Sequence, residues 1–324
     1  MILAGDVGAT KILLEVGEIR SGKWEALLAR RYPTAEVEDF PALLTSFLGE
    51  WTRMRSKSPR IESAAFGVAG PAQDNAVKLT SHPWGVDGTR IGTRLLIPHV
   101  KVVNDLEAAA HGIAWLSARD TLLIQAGKSS PTDPRVVMGI GTGLGVAYLV
   151  PDDKGLRAVA GEGGHVSFGP TTAEQMELCR WLQRRHGRAS NEDVCSGRGL
   201  SNVFEFMREM NPRADEAPEE EFTPEKISER AADKSDPRCV AAMDLFVQCA
   251  GAIAGDHALT VMARGGVYLV GGVAGKIVNA LQEGRFREAF CAKDAHSAAM
   301  MKIPVRVVRN DRLAVIGAAR LAEQ

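Results

Sequence analysis

Short apolar runs, each stopped by glycine or a polar turn, alternate along this chain with longer stretches of helical apolar spacing. Runs at 2–5 and 12–16 predict two strands, and the glycine-bearing turn between them predicts a β-hairpin. A third strand over 24–31 extends the hairpin into a meander. Apolar residues recur at helical spacing over 40–54. A short strand at 63–68 ends in Ala69-Gly70-Pro71, a breaker. Another at 100–103 leads through Asn104-Asp105 into a helix over 106–116.

The pattern then restarts. A run at 136–140, a glycine turn and a run at 146–150 repeat the opening hairpin. Helices are predicted over 173–185, 199–210 and 238–262. A strand at 267–270 ends in Gly271-Gly272, and a last strand at 305–308 precedes a last helix over 313–322. Two halves that each open with a glycine-turned hairpin and continue into strands and helices predict a duplicated α/β architecture, with a mixed sheet in each half and a cleft between them. No low-complexity linker separates the halves, so the crossing is expected to be short or helical.

Composition narrows this picture. The chain has 324 residues, 45% of them hydrophobic and 24% charged, which suits a globular protein of about two domains. The formal net charge of -1 supplies no global field toward nucleic acid or an anionic membrane, so neither is expected as a partner. The acidic run over 215–221 reads as a solvated loop. Cys179, Cys195, Cys239, Cys249 and Cys291 form no C-x-x-C pair, so neither a disulfide framework nor a zinc site is expected. They read as reduced thiols in a cytoplasmic protein. Asp6 and Lys11 interrupt the apolar N-terminus, which is not read as a signal peptide. No stretch approaches the roughly 20 uninterrupted apolar residues of a membrane span.

The polar residues that break the pattern carry the chemistry. Gly161-Glu162-Gly163-Gly164-His165 sets two titratable side chains among three glycines. A core does not need that arrangement, whereas a pocket that hydrogen-bonds several hydroxyls does. In Asp6-Val7-Gly8-Ala9-Thr10-Lys11, exposed backbone N–H groups would make an anion-binding concavity. Thr10 and Lys11 add a hydroxyl and a charge, and Asp6 could hold the water shell of a phosphate-bound Mg²⁺. Taken alone, a plain hairpin with a turn aspartate accounts for the same residues. Gly141-Thr142-Gly143-Leu144-Gly145 alternates glycine around a threonine, a density that costs conformational entropy and usually reports a backbone approached closely. Its G-x-G-x-G spacing leads into a strand, so it is not a dinucleotide fingerprint. Gly275-Lys276 lacks the upstream glycine of a phosphate-binding Walker loop, and Ile277 stands where a hydroxyl is required.

Asn104-Asp105 can cap the helix that follows. A carboxylate in that place, facing a cleft, can also take the proton of a substrate hydroxyl as phosphoryl transfer begins. Glu192, in Ser190-Asn191-Glu192-Asp193-Val194, suits a capping arrangement. Thr80-Ser81-His82-Pro83-Trp84 reads as a polar loop closed by a core tryptophan. Gly271-Gly272-Val273 either turns tightly into a helix or lets a base and ribose lie against backbone.

In this order the pieces resemble the bacterial glucokinase family, part of the hexokinase–actin superfamily of two-domain ATPases. The resemblance covers nearly the whole chain. It is carried by the segments 139–147, 161–168, 79–84 and 196–200 and by Val103-Asn104-Asp105. It implies a duplicated actin-like (ribonuclease H-like) α/β fold with a small domain over 1–108 plus 310–324, a large domain over 109–309, and the active site in the cleft between them. It implies that Asn104, Asp105, Glu162, His165, Glu192 and Ser81 hold sugar hydroxyls, with Asp105 as general base on the 6-hydroxyl. Asp6, Gly8, Ala9, Thr10 and Lys11, with Gly141, Thr142 and Gly143, would grip phosphates, and Gly271 and Gly272 would lie under the adenosine. ATP, Mg²⁺ reached by Asp6 through water, glucose as acceptor and a homodimer go with the family. The chain departs from the family at Ala9, where a second glycine is usual, and at Lys11 and Ser81, where asparagine is.

The activity this implies is ATP-dependent phosphorylation of a hexose, glucose above all. Two alternatives stay open: a kinase of the same fold with another hexose, amino sugar or phosphoryl donor, and a non-catalytic sugar-sensing regulator. The cysteine cluster of repressor-type relatives does not follow His165, and no helix-turn-helix precedes the first hairpin.

Overall fold

The computed structural model describes residues 1–54, 60–79, 82–153, 155–212 and 222–323. Ser81 and the acidic run over 215–221 lie outside the described residues. The chain divides into two compact units, Met1–Ser117 with Asn310–Gln324, and Ala118–Arg309. The first boundary follows Ser117 rather than 108, because the helix Asp105–Gly112 belongs with the closing helix Leu313–Glu323. The two helices meet backbone to backbone: a Cβ on Gly317 would lie 1.7 Å from the Ala108 carbonyl oxygen.

Among the described residues, the small unit runs β1 (Ile2–Val7), β2 (Lys11–Arg20), β3 (Lys23–Pro33), α1 (Phe40–Arg53), β4 (Ser63–Val68), β5 (Ala72–Gln73), β6 (Ala76–Lys78), β7 (Gly85–Asp87), α2 (Gly88–Leu95), β8 (His99–Asn104) and α3 (Asp105–Gly112). Its main sheet has the order β3-β2-β1-β4-β8. The β1–β3 meander is antiparallel, and β4 and β8 run parallel to β1. Side chains alternate across this sheet. Leu3, Leu14 and Phe66 join a core with Phe40, Phe47 and Trp51. Ala4, Leu13 and Ala65 pack with Ala108, Val315 and Ala318 on the other face. Both faces are covered, which is why these strands read as continuous apolar runs rather than as alternation. The helix expected over 106–116 stops at Gly112 and continues as a 3₁₀ turn, Ile113–Trp115. The small sheet β5-β6-β7 was not foreseen, since strands of two or three residues are too short to show a period.

The large unit runs β9 (Thr121–Gln125), β10 (Arg135–Ile140), β11 (Leu144–Asp152), β12 (Gly155–Gly161), α4 (Ala173–His186), α5 (Gly197–Met210), α6 (Pro224–Ala232), α7 (Pro237–Val261), β13 (Gly266–Val270), α8 (Gly272–Lys276), α9 (Val278–Gln282), α10 (Arg285–Cys291), α11 (Ser297–Met300) and β14 (Val305–Val308), and the chain closes in the small unit with α12 (Leu313–Glu323). Its sheet order is β12-β11-β10-β13-β14-β9. An antiparallel meander followed by two parallel strands repeats the small unit, with β9 added antiparallel at the edge.

By length and mean apolar composition α7 could cross a membrane, although Asp244 and Asp256 interrupt its apolar run. However, 72% of its most apolar window is buried inside the protein, and Phe246, Cys249 and Ile253 are core residues of the large unit. It is a core helix.

Candidate active site

In the small unit, Val7 pairs with Val68 and Val68 with Asn104 across the parallel strands β1, β4 and β8. Their carboxyl ends therefore release three loops side by side, the usual ligand position in such sheets. The first is the hairpin turn, which is held in one shape. The Gly8 N–H donates to the Lys11 carbonyl at 2.9 Å, and the buried Thr34 donates its hydroxyl to the Gly8 carbonyl at 2.9 Å. Ala9, Thr10 and Lys11 are exposed. Ala9 is not among the residues with positive φ, so its methyl group introduces no backbone strain where the family usually has glycine.

Asn104 caps α3. Its Oδ1 accepts from the N–H groups of Leu106 at 2.9 Å and Glu107 at 3.3 Å, and its Nδ2 donates to the Gly70 carbonyl at 3.0 Å. The cap presents Asp105 in the first turn of the helix, where the helix dipole favours a carboxylate. Gly67 makes the close packing possible: a Cβ there would lie 2.6 Å from the Ala108 Cβ. Asp6, half-buried near the end of β1, is close enough to feel this carboxylate. Burial first, and the Asp105 charge second, push the Asp6 carboxyl up to about 7, against the opposing pull of Lys11 and Arg31. A carboxyl in that state favours a cation beside it. Among the described residues no group of three or more His, Cys, Asp or Glu side chains is placed to hold a metal ion.

In the large unit, Gly139 pairs with Val270 across the parallel strands β10 and β13, and their carboxyl ends release Gly141-Thr142-Gly143 and Gly271-Gly272. Gly271 has φ +98, and a Cβ there would lie 2.5 Å from the Ile140 carbonyl oxygen. Only glycine lets the second turn rest on the first. The Gly197 N–H, at the start of α5, donates to the Gly141 carbonyl at 2.7 Å.

The capping role expected of Glu192 is not realised. Its Oε2 instead accepts the Leu144 N–H at 2.9 Å, and its Oε1 accepts from Arg198 Nη2 at 3.1 Å. Each oxygen keeps a lone pair for a further donor. The Glu192 N–H donates to the Gly164 carbonyl at 2.8 Å, and Asn191 Nδ2 to the Gly163 carbonyl at 3.0 Å. The short 3₁₀ turn Gly163–His165 is thereby stitched to the Asn191-Glu192 segment. On it Glu162 and His165 stand exposed, with Oε2 and Nε2 4.0 Å apart. Glu162 and His165 thus stand together as exposed polar groups, and the backbone of Glu192 is tied to the same turn.

Several supporting residues escaped the sequence reading. Asn191 lies within the segment quoted for Glu192 and Arg198 within 196–200, so both could have been found there. Thr34 and Arg188 could not, because their partners are remote in sequence. Arg188 donates to the His165 carbonyl, and Thr34 braces the first turn. Trp84 is partly buried and packs against the core of the small unit: its Nε1 donates to the Val37 carbonyl at 2.7 Å, and its ring stacks on Phe40 at 5.7 Å.

Two mixed sheets of like order, each with glycine turns at the carboxyl ends of its strands, define a two-domain sugar kinase of the hexokinase–actin type. The chain belongs to the glucokinase family, whose family model, described as Glucokinase, matches residues 3–324. A glucokinase of Mesorhizobium japonicum is 37% identical over 99% of this chain and 91% of its own. A crystal structure of glucokinase from an Antarctic psychrotroph superposes with a TM-score of 0.88 at 26% identity, covering 99% of this chain and 98% of that one. A ROK family glucokinase from Streptomyces griseus, in complex with glucose and AMPPNP, has a TM-score of 0.67 at 22% identity and covers 100% of this chain and 99% of that one.

Proposed function

We propose that this protein transfers the γ-phosphoryl group of ATP to the 6-hydroxyl of glucose, giving glucose 6-phosphate and ADP. The observation that carries the reading is Asp105, fixed at a helix start by the Asn104 cap and lying in the electrostatic reach of Asp6 and its glycine turn. Asp105 takes the proton of the 6-hydroxyl as the bond to phosphorus forms. Glu162, His165, Glu192 and Asn104 hold the remaining hydroxyls, and a site built on such contacts rejects analogues that lack them. Ser81 is kept in this set from the family resemblance alone. The backbone N–H groups of the turns 8–10 and 141–143, with Thr10, Lys11 and Thr142, stabilise phosphoryl charge. Gly271 and Gly272 leave backbone open to the adenosine. AMPPNP, held by the Streptomyces griseus relative, is an ATP analogue and supports ATP as donor. Mg²⁺ bound to the nucleotide would neutralise part of the phosphate charge, with Asp6 as its protein contact through water. A cytoplasmic homodimer belongs to the same reading, and cysteines that are all free and mostly buried suit a reducing compartment.

The test is release of ADP against a panel of sugars, with the Asp105→Asn variant beside the wild type. Glucose should be the preferred acceptor, and the variant should lose about 10²- to 10⁴-fold in turnover while still binding glucose. Near-normal turnover in the variant would reject the role of Asp105. Absence of ADP release with any hexose would reject the kinase.

A further inference from the structure

The proposed mechanism makes no use of His257, yet this residue is built into the floor of the sugar loop. It lies on α7 and is only 7% exposed. Its Nδ1 is 2.8 Å from the hydroxyl of Tyr148 on β11, and the two rings meet edge-on with centroids 6.0 Å apart. The imidazole also meets the Gly163–His165 turn. A Cβ on Gly163 would lie 2.8 Å from His257 Cε1 and 2.7 Å from Val146 Cγ2. Gly163 therefore has no side chain because its backbone rests directly on His257 and Val146.

The protonation states follow from the surroundings. Burial lowers the His257 pKa, so the ring is neutral, and burial raises that of Tyr148, which keeps its proton. The Gly163 backbone acts on the ring in the sense that favours its charged form, so the ring meets the acceptor side of that peptide. The Tyr148 O–H then donates to Nδ1, and the hydrogen of the neutral ring sits on Nε2. That Nε2 is buried and faces the Gly163 backbone without a well-formed hydrogen bond. A buried donor left with a poorly formed contact is costly, and here it borders a loop whose three glycines make ordering expensive.

We propose that Tyr148 and His257 form a positioning pair for the sugar loop, setting the backbone at Gly163 so that Glu162 and His165 meet the hexose, with no role toward the nucleotide. The inference rests on the reading of Glu162 and His165 as sugar contacts. Its physical basis is preorganisation: a rigid floor removes conformational entropy that sugar binding would otherwise have to overcome. The Asn191 amide, which holds the Gly163 carbonyl, and the Gly164–Glu192 hydrogen bond fix the loop from the side, and the pair fixes it from below.

Three variants test this: Tyr148→Phe, which keeps the ring and removes the hydroxyl; His257→Leu, which removes both nitrogens; and His257→Gln, which restores an amide donor. Loss of one buried hydrogen bond should raise the glucose KM about five- to tenfold in Tyr148→Phe and more in His257→Leu, with the ATP KM and kcat within about threefold of wild type. His257→Gln should recover part of the loss. A glucose KM unchanged in Tyr148→Phe and His257→Leu would overturn the inference, as would equal rises in both KM values, which would mark general damage to the fold. If the wild type fails to phosphorylate glucose, the functional reading falls and takes this inference with it. A normal glucose KM in the variants refutes the positioning role alone.

Discussion

Glu192 and Leu144 are joined by a 2.9 Å hydrogen bond from the Leu144 N–H to Glu192 Oε2. This bond links the glycine turn after β10 to the segment that supports the sugar loop. Through the Gly164 carbonyl, which accepts the Glu192 N–H at 2.8 Å, the loop and the turn share one set of backbone contacts. Proposed phosphate and sugar contacts of the large unit are thus mechanically continuous.

Gly164 is where this continuity is most exposed to mutation. A Cβ there would lie 1.9 Å from the Leu144 carbonyl oxygen, and a backbone atom cannot rotate out of the way. Gly164→Ala should lose about 2–3 kcal/mol of stability, in the range of overpacked cores, and should abolish glucose binding measured by calorimetry. Wild-type glucose affinity in a folded variant would show that the loop tolerates a shift that this packing forbids.

The C-terminal helix is tied to the first sheet by a buried charge. Glu15 on β2 is fully buried. It accepts from Arg312 Nε at 2.7 Å, from Arg312 Nη2 at 2.8 Å and from Trp24 Nε1 at 2.6 Å. Removing the arginine strands the carboxylate, so Arg312→Ala should cost about 3 kcal/mol in urea unfolding. The double variant Glu15→Gln with Arg312→Ala should cost less, since no buried charge is then left alone. A single variant with wild-type stability would count against the pair as an anchor for α12.

His111 on α3 should make the small unit sensitive to acid. Burial first, with the charges of Lys101 and Arg320, lowers its pKa from 6.5 to about 4. Between those values the unfolded chain takes up a proton that the folded chain does not, so stability falls as pH drops from 6.5 to about 4 and is unaffected by this group above that window. A pKa unit corresponds to about 1.4 kcal/mol, and partial solvent access should leave about 1–2 kcal/mol. His111→Gln should flatten the pH dependence of unfolding by that amount between about pH 7 and pH 4.5. An unchanged slope would mean that the ring is solvated in the native state.

Much of this protein is determined by sequence alone, because local periods report which faces are buried. The strands 63–68 and 305–308 and the helix starting at Phe40 stand where the apolar pattern puts them. The duplicated meanders follow from two glycine-turned hairpins, and Asp105, Glu162 and His165 stand out as candidates because polar residues between glycines or at a strand end break apolar surroundings, whereas Glu192 is singled out only by the family resemblance. Other features were decided only by the tertiary structure. The run Thr121–Gln125 becomes an edge strand because β14 pairs with it, and β12, partly exposed, carries too weak an alternation to be read alone. Asn104 and Glu192 each suggested a helix cap. Asn104 is one, whereas the Glu192 carboxylate reaches a turn 48 residues away in sequence. Thr34, Arg188, Gly67 and His257 take their meaning from groups far along the chain. A period records the average environment of a face, but a hydrogen bond or a missing Cβ records one neighbour, and only folding settles which neighbour that is.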